Sequence, residues 1–275
     1  MKSNSRLLSA PYTVWMTVFI VLPMLLVGYF AFTDKSGSFT LENMLSVGQY
    51  SNVFLRSIWL GAVATVVSLG LGYPLAYLIA KMSVKRQNVM VMLVMLPMWM
   101  NFLLRTYAWM TLLEDNGLIN SFLAALGLPR VHMINTAGAV VLGMVYNYIP
   151  YMILPLYSVL TKIDQSVIEA AQDLGAGDRQ VFLKVVLPLS MPGVISGVTM
   201  VFVPAVSTFI ISKMLGGGGN LLIGDLIDMQ FLGSAYNPNL GSAVSLVLMV
   251  IILICMGIMN QFDDGGADEK GGMLL

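Results

Sequence analysis

Glu169, Ala170 and Ala171 stand together in a polar stretch, followed by Gly175 and then by Val185, Leu187 and Pro188. A carboxylate, two small residues and a glycine make no catalytic set. They suit a short exposed helix that ends in a sharp turn. The alanines keep the helix thin, Gly175 permits a sharp turn, and Glu169 offers its oxygens to a basic side chain or a backbone amide. Residues for catalysis or metal ligation are scarce. The single histidine, His132, and the single cysteine, Cys255, exclude histidine-rich or cysteine-ligated metal sites and an internal disulfide framework, and one histidine in all argues against a Ser-His-Asp hydrolase. His132 reads as a loop residue at the outer interface and Cys255 as a small apolar packing residue. Gly216–Gly219 is a glycine run without the lysine of a phosphate-binding loop. The expectation is no catalytic residue, no metal and no cofactor on this chain. Any ATP and Mg chemistry would belong to another polypeptide.

Three further groups stand out. Arg105 is the one ionisable residue inside an apolar stretch, and such a charge is a functional candidate. Counted along a straight helix from Arg86 it lies roughly 28 Å away, near the outer surface. There it can pair with a loop carboxylate to shape an outer gate, or serve as a structural anchor. Asp225 and Asp228 fall in a glycine-flanked outer segment, where they can attract a cation at the mouth, touch a docked protein, or simply be solvated. Trp99, Tyr107, Trp109, Tyr146, Tyr148 and Tyr151 offer aromatic faces that can pass a cation along a path. They can equally be interface anchors.

The elements that position these groups follow from where charge is missing. Of 275 residues, 57% are hydrophobic and only 10% charged, with fourteen basic residues balancing fourteen acidic ones. A soluble domain carries about 25% charged residues, and a chain with no net positive charge has little hold on nucleic acid. Uncharged stretches recur at about the length a bilayer core requires, roughly 20 residues in a helix. Backbone in lipid must satisfy its own hydrogen bonds, so these stretches are expected to be helices. The expected fold class is an all-α integral membrane protein with six spans, near 12–32, 57–80, 89–112, 138–160, 193–212 and 240–260. The first stretch is too long for a signal-peptide core and reads as an uncleaved helix. Segment 116–129 is apolar but too short to cross, and reads as an interfacial or re-entrant helix. The expected organisation is an N-terminal segment 1–56, a membrane core 57–260 with a loop at 162–192, and an acidic, glycine-rich tail 261–275.

Nine basic residues, Lys2, Arg6, Lys81, Lys85, Arg86, Lys162, Arg179, Lys184 and Lys270, fall on the amino-terminal side of this topology. Lys35, Arg56, Arg130 and Lys213 fall on the other. The positive-inside rule then places both termini in the cytoplasm, in a multi-pass protein of the cell membrane. The loop 162–192 becomes cytoplasmic. Asp164 is positioned to cap a helix bearing Val167, Ile168, Ala170, Ala171 and Leu174. Gly175 and Gly177 break it, and Asp178 is positioned to cap a second helix bearing Val181, Phe182, Val185 and Val186. Pro188 and Pro192 punctuate the return to the membrane. Prolines 23, 74, 97, 150, 155 and 204 are candidate hinges.

The series Glu169-Ala170-Ala171, Gly175, Val185, Leu187, Pro188 resembles the EAA motif of ABC importer permeases, with Val185 where that motif has isoleucine. The resemblance implies the fold of the type I importer permeases, with this loop as a coupling helix seated on a separate ATPase. It also implies an ATPase dimer, a second homologous permease and an extracytoplasmic binding protein as partners. The stretches 96–109, 143–155 and 220–224 are similar to the spermidine/putrescine permeases, which implies polyamine import. None of the six expected spans contains an acidic residue, so the path through them is expected to bind weakly. The resemblance puts the tight site on the binding protein. Another small solute, amino-acid-like or opine-like, is the alternative. An ion-driven transporter would ordinarily need ionisable groups at mid-membrane.

Overall fold

In a computed structural model, residues 11–233 and 235–264 are described, and among them no β-strand forms. Helix α1, Pro11–Ala31, contains a π turn at Thr17–Val21 and has little buried surface. Helix α2 runs as a 39-residue unit from Glu42 to Ala80. The second span therefore begins well before residue 57, and the expected polar approach is helical from Glu42 onward. The domain boundary expected at residue 56 falls inside this helix.

The third expected span is not straight. Helices α3, Val84–Trp99, and α4, Phe102–Leu113, are parts of a pair that bends by 88°. Met100 is extended between them, and Asn101 restarts the chain by accepting the Leu103 and Leu104 amides at 2.9 and 3.3 Å. Pro97, in the turn just before the break, cannot donate to the preceding turn. The short outer helix expected within 116–129 is α5, Leu118–Ala125. Buried Asn120 pins it by donating to Glu114 O and Val131 O and accepting from Val131 N.

Helix α6, Ala137–Leu160, is the most buried of the long helices. It is followed by the loop helices α7, Gln165–Asp173, and α8, Asp178–Leu189, and then by α9, Met191–Ser207, which turns 62° from α8. Of the candidate proline hinges, only Pro97 adjoins a break; the other break lies between Pro188 and Pro192. Helix α9 ends at Thr208, ahead of the short α10, Ile210–Leu215, and of α11, Ile223–Phe231. The last helix, α12, spans Pro238–Asp264. The acidic tail expected from residue 261 thus begins inside α12, and its remainder lies outside the described residues, as do Lys2, Arg6 and Lys270. Four helices are long and apolar enough to cross a membrane, and six spans result when each bent pair counts as one.

The core is the mutual packing of α2, α6 and α9, built from Ala64, Ala76, Met144, Met152, Leu156 and Val201. Small residues set the spacing. A Cβ at Gly197 would lie 2.7 Å from Met152 Sδ, and one at Gly143 would lie 2.5 Å from Leu215 Cδ1. Close approach of this kind is how membrane helices gain contact when lipid already satisfies their apolar surfaces. Helices α1 and α12 form a second layer, tied at the outer end by Asn239 donating to Thr33 O at 2.7 Å.

Candidate functional site

The elbow between α7 and α8 is built by local rules. Asp164 caps α7 by accepting the Ser166 amide at 3.0 Å, and this amide together with the Ser166 hydroxyl holds its carboxyl below the usual carboxylate range. Gly175 takes φ +83°, its amide donates to Gln172 O, and the Ala176 amide donates to Ala171 O. That pair of bonds is a Schellman ending, which needs a left-handed residue and so favours glycine. Gly177, rather than Asp178, precedes the next helix. Asp178 sits in its first turn, where its charge meets the positive end of the helix dipole instead of capping it.

The two faces of the elbow differ. Ile168 and Ala171 pack inward against the core, whereas Glu169, Ala170 and Gly175 are exposed and Leu174 is 89% exposed. On the inner side, Phe182 stands edge-on to Tyr73 and Tyr77 of α2, with centroids at 5.7 and 5.5 Å. The Tyr73 hydroxyl meets Ser190 Oγ at 2.7 Å, at the 62° bend. Val185 and Leu187 are half-buried and Pro188 is exposed. Phe182 and Ser190 thus tie α8, and its bend into α9, to α2. Tyr73, Phe182 and Ser190 escape the motif reading. The spacing of Tyr73 and Tyr77 by four on one helix face was the available signal.

The expected ion pair of Arg105 does not form among the described residues. Its guanidinium donates back across the helix break to Pro97 O and lies over the Phe102 and Tyr146 rings, at 5.8 and 5.9 Å. The 88° bend turns α4 away from the axis on which the straight-helix distance depended, and Arg105 is buried against the broken turn. Trp109 meets Tyr146 edge-on at 5.2 Å, and Tyr148 meets Tyr151 at 6.4 Å. These four rings and Arg105 gather along α4 and α6. Tyr107 is exposed on α4, and Trp99, 74% exposed, stands apart beside Asn88, Met95 and Tyr157.

The two aspartates are on helix α11. Asp225 is buried and accepts the Leu222 amide at 2.9 Å, capping its own helix; Asp228 pairs with Lys213 at 3.0 Å. Burial raises the Asp225 carboxyl above its ordinary value. His132 pairs with Asp115 at 2.8 Å on the outer loop, and Cys255 is half-buried on α12.

A family model described as "Binding-protein-dependent transport system inner membrane component" matches residues 72–264, from the lower half of α2 through the elbow to the end of α12. The chain belongs to this family. This permease is 38% identical over 250 residues to the spermidine/putrescine transport system permease protein PotB of Haemophilus influenzae, covering 87% of each chain. It is 36% identical to PotB of Escherichia coli, covering 89% of this chain and 91% of that one. Its fold superposes on a chain of a bacterial ABC transporter involved in the import of the acidic polysaccharide alginate. There the TM-score is 0.75 at 20% identity, covering 94% of this chain and 95% of that one. The permease is thus a multi-pass membrane subunit of the binding-protein-dependent transport class.

Proposed function

We propose that this permease is the translocation subunit of an ATP-driven importer for linear polyamines of the spermidine and putrescine class. The elbow carries the reading: a rigid, capped turn whose open face holds Glu169, Ala170 and Leu174 and whose inner face grips α2 and α9. Two ATPase subunits, which bind ATP and Mg, seat on this elbow and on its counterpart in a second, PotC-type permease. Both termini and the elbow face the cytoplasm. Closure of the ATPase dimer moves α7 and α8, Phe182 and Ser190 carry the motion to α2 and α9, and the spans rock to open the path outward. An extracytoplasmic binding protein delivers the amine to the outer side. The likeness to PotB proteins over most of the chain supports the substrate class. The aromatic group Trp109, Tyr146, Tyr148 and Tyr151 suits a cation that must pass without being held.

The test is reconstitution of the four components in vesicles with labelled putrescine, competed by a panel of amines, amino acids and opine-like compounds. ATP-dependent uptake competed by spermidine and not by amino acids is the expected result. Competition by amino acids alone would move the substrate class elsewhere. Uptake by the permease pair without the ATPase would remove the coupling role.

A further inference from the structure

The outer end of the fold holds a cavity that the elbow and the aromatic group do not involve. It measures about 120 Å³ and is lined by Ser212, Lys213, Gly217, Gly218, Asp225 and Asp228, among others. That is room for several water-sized groups. Asp225 is only 4% exposed. Its Oδ2 takes the Leu222 amide, while its Oδ1 is buried with no hydrogen-bond partner. Ser212 stands beside it, but its hydroxyl donates to Phe209 O at 3.0 Å. A buried carboxylate oxygen left unpartnered costs free energy unless something fills its place.

The rest of the cavity indicates what that is. Asp228, also largely buried, is met at 3.0 Å by the ammonium of Lys213, a side chain 67% exposed. Arg56 approaches from α2 but donates to Gly219 O, on the glycine turn. Asp228 is thus paired with one exposed ammonium while Asp225 has no ion-pair partner among the described residues, so the two carboxylates carry one negative charge in excess. Gly218 borders open space, since a Cβ there would meet nothing within 4 Å.

We propose that this cavity is an entry subsite for one primary ammonium end of a linear amine, held between Asp225 Oδ1 and Asp228 as Lys213 swings away. Lys213 is a built-in competitor that occupies the subsite between passages and limits how long an amine stays. The inference deepens the import reading, since it supplies outside the spans the carboxylates that the spans lack.

The test uses the assembled transporter with Cys255→Ala and Gly218→Cys, and measures labelling by two methanethiosulfonates of similar size, one cationic and one neutral. The ratio of their rates cancels changes in thiol reactivity. A ratio of about ten is expected from one excess charge at this range, falling to about one in Asp225→Asn or Asp228→Asn. n-Butylammonium should slow labelling, at lower concentration in Lys213→Gln and not at all in Asp225→Asn. An unchanged ratio in both aspartate variants, or no protection by butylammonium, overturns the subsite. Protection by amine-free binding protein alone would assign the cavity to a lysine of that protein and also overturn it. Protection that persists in a transporter failing to carry putrescine would keep the subsite and discard the substrate class. Normal putrescine uptake without protection would do the reverse.

Discussion

Gly175 is where a small change should cost the most function for the least change in structure. Its φ of +83° ends α7, yet a Cβ there would touch nothing within 4 Å. The penalty of a substitution is therefore conformational, with no steric clash. An L residue in the left-handed region costs about 1–2 kcal/mol, and asparagine escapes part of it. If the left-handed turn is the docking conformation, that cost appears directly in docking. An equilibrium then shifts by about five- to thirty-fold for alanine and less for asparagine. Valine, branched at Cβ, is worse again. ATP-dependent uptake normalised to the amount of permease in the membrane should fall in the order glycine, asparagine, alanine, valine. Gly175→Asp adds a charge to the open face and should uncouple transport while leaving the protein inserted. Equal uptake for glycine and valine at equal membrane abundance would refute the argument, because the Schellman turn would then be irrelevant to coupling.

Phe182→Ala removes the contact between α8 and α2. It should cost about 2–4 kcal/mol, the lower part of the core range because Phe182 is only partly buried, with loss of ATP-driven uptake and a lower thermal midpoint in detergent. Tyr73→Phe and Ser190→Ala should each cost about 1 kcal/mol, and a double-mutant cycle in the same melting assay should show them to be coupled. Gly197→Leu forces a side chain onto Met152 and should destabilise by about 1–3 kcal/mol, or prevent accumulation in the membrane, as judged by immunoblot. Burial raises the Asp225 carboxyl in the folded state, so its contribution to stability is full below the ordinary aspartate pKa and is lost as pH rises through the folded value. Asp225→Asn should therefore raise the melting temperature relative to the parent protein at pH 7 more than at pH 4.

The spans and the elbow were legible in the residues for different reasons. Bilayer thickness imposes one length on every crossing helix, so the gaps between charges marked the spans without further knowledge. Asp164 and Gly175 act within a few residues of themselves, and both did what local rules require. Some of the misreadings came from longer range, others from neighbours that a motif does not weigh. Pro97 and Asn101 flank the 88° turn, but Pro97 was one of six candidate hinges and nothing in the residues singled it out. The early start of α2 was hidden because Asn43, Ser46, Gln49 and Asn52 are polar and helical at once, their side chains standing above the apolar core of the span. Asp178 looked like a cap because Gly177, which supplies the extended residue without a side chain, is silent in a motif. Lys213 and Asp228 are fifteen residues apart, and only the α10–α11 hairpin joins them.

The most direct test of the account is disulfide or short-linker cross-linking from Leu174→Cys, in a Cys255→Ala background, to cysteines lining the groove of the ATPase subunit. Leu174 is 89% exposed on the open face of the elbow, so the substitution disturbs no packing. A single product containing both chains, which blocks ATP-driven uptake until it is reduced, is what the account predicts. Failure to cross-link in any nucleotide state, together with reaction of this cysteine with an impermeant reagent added outside, would contradict it.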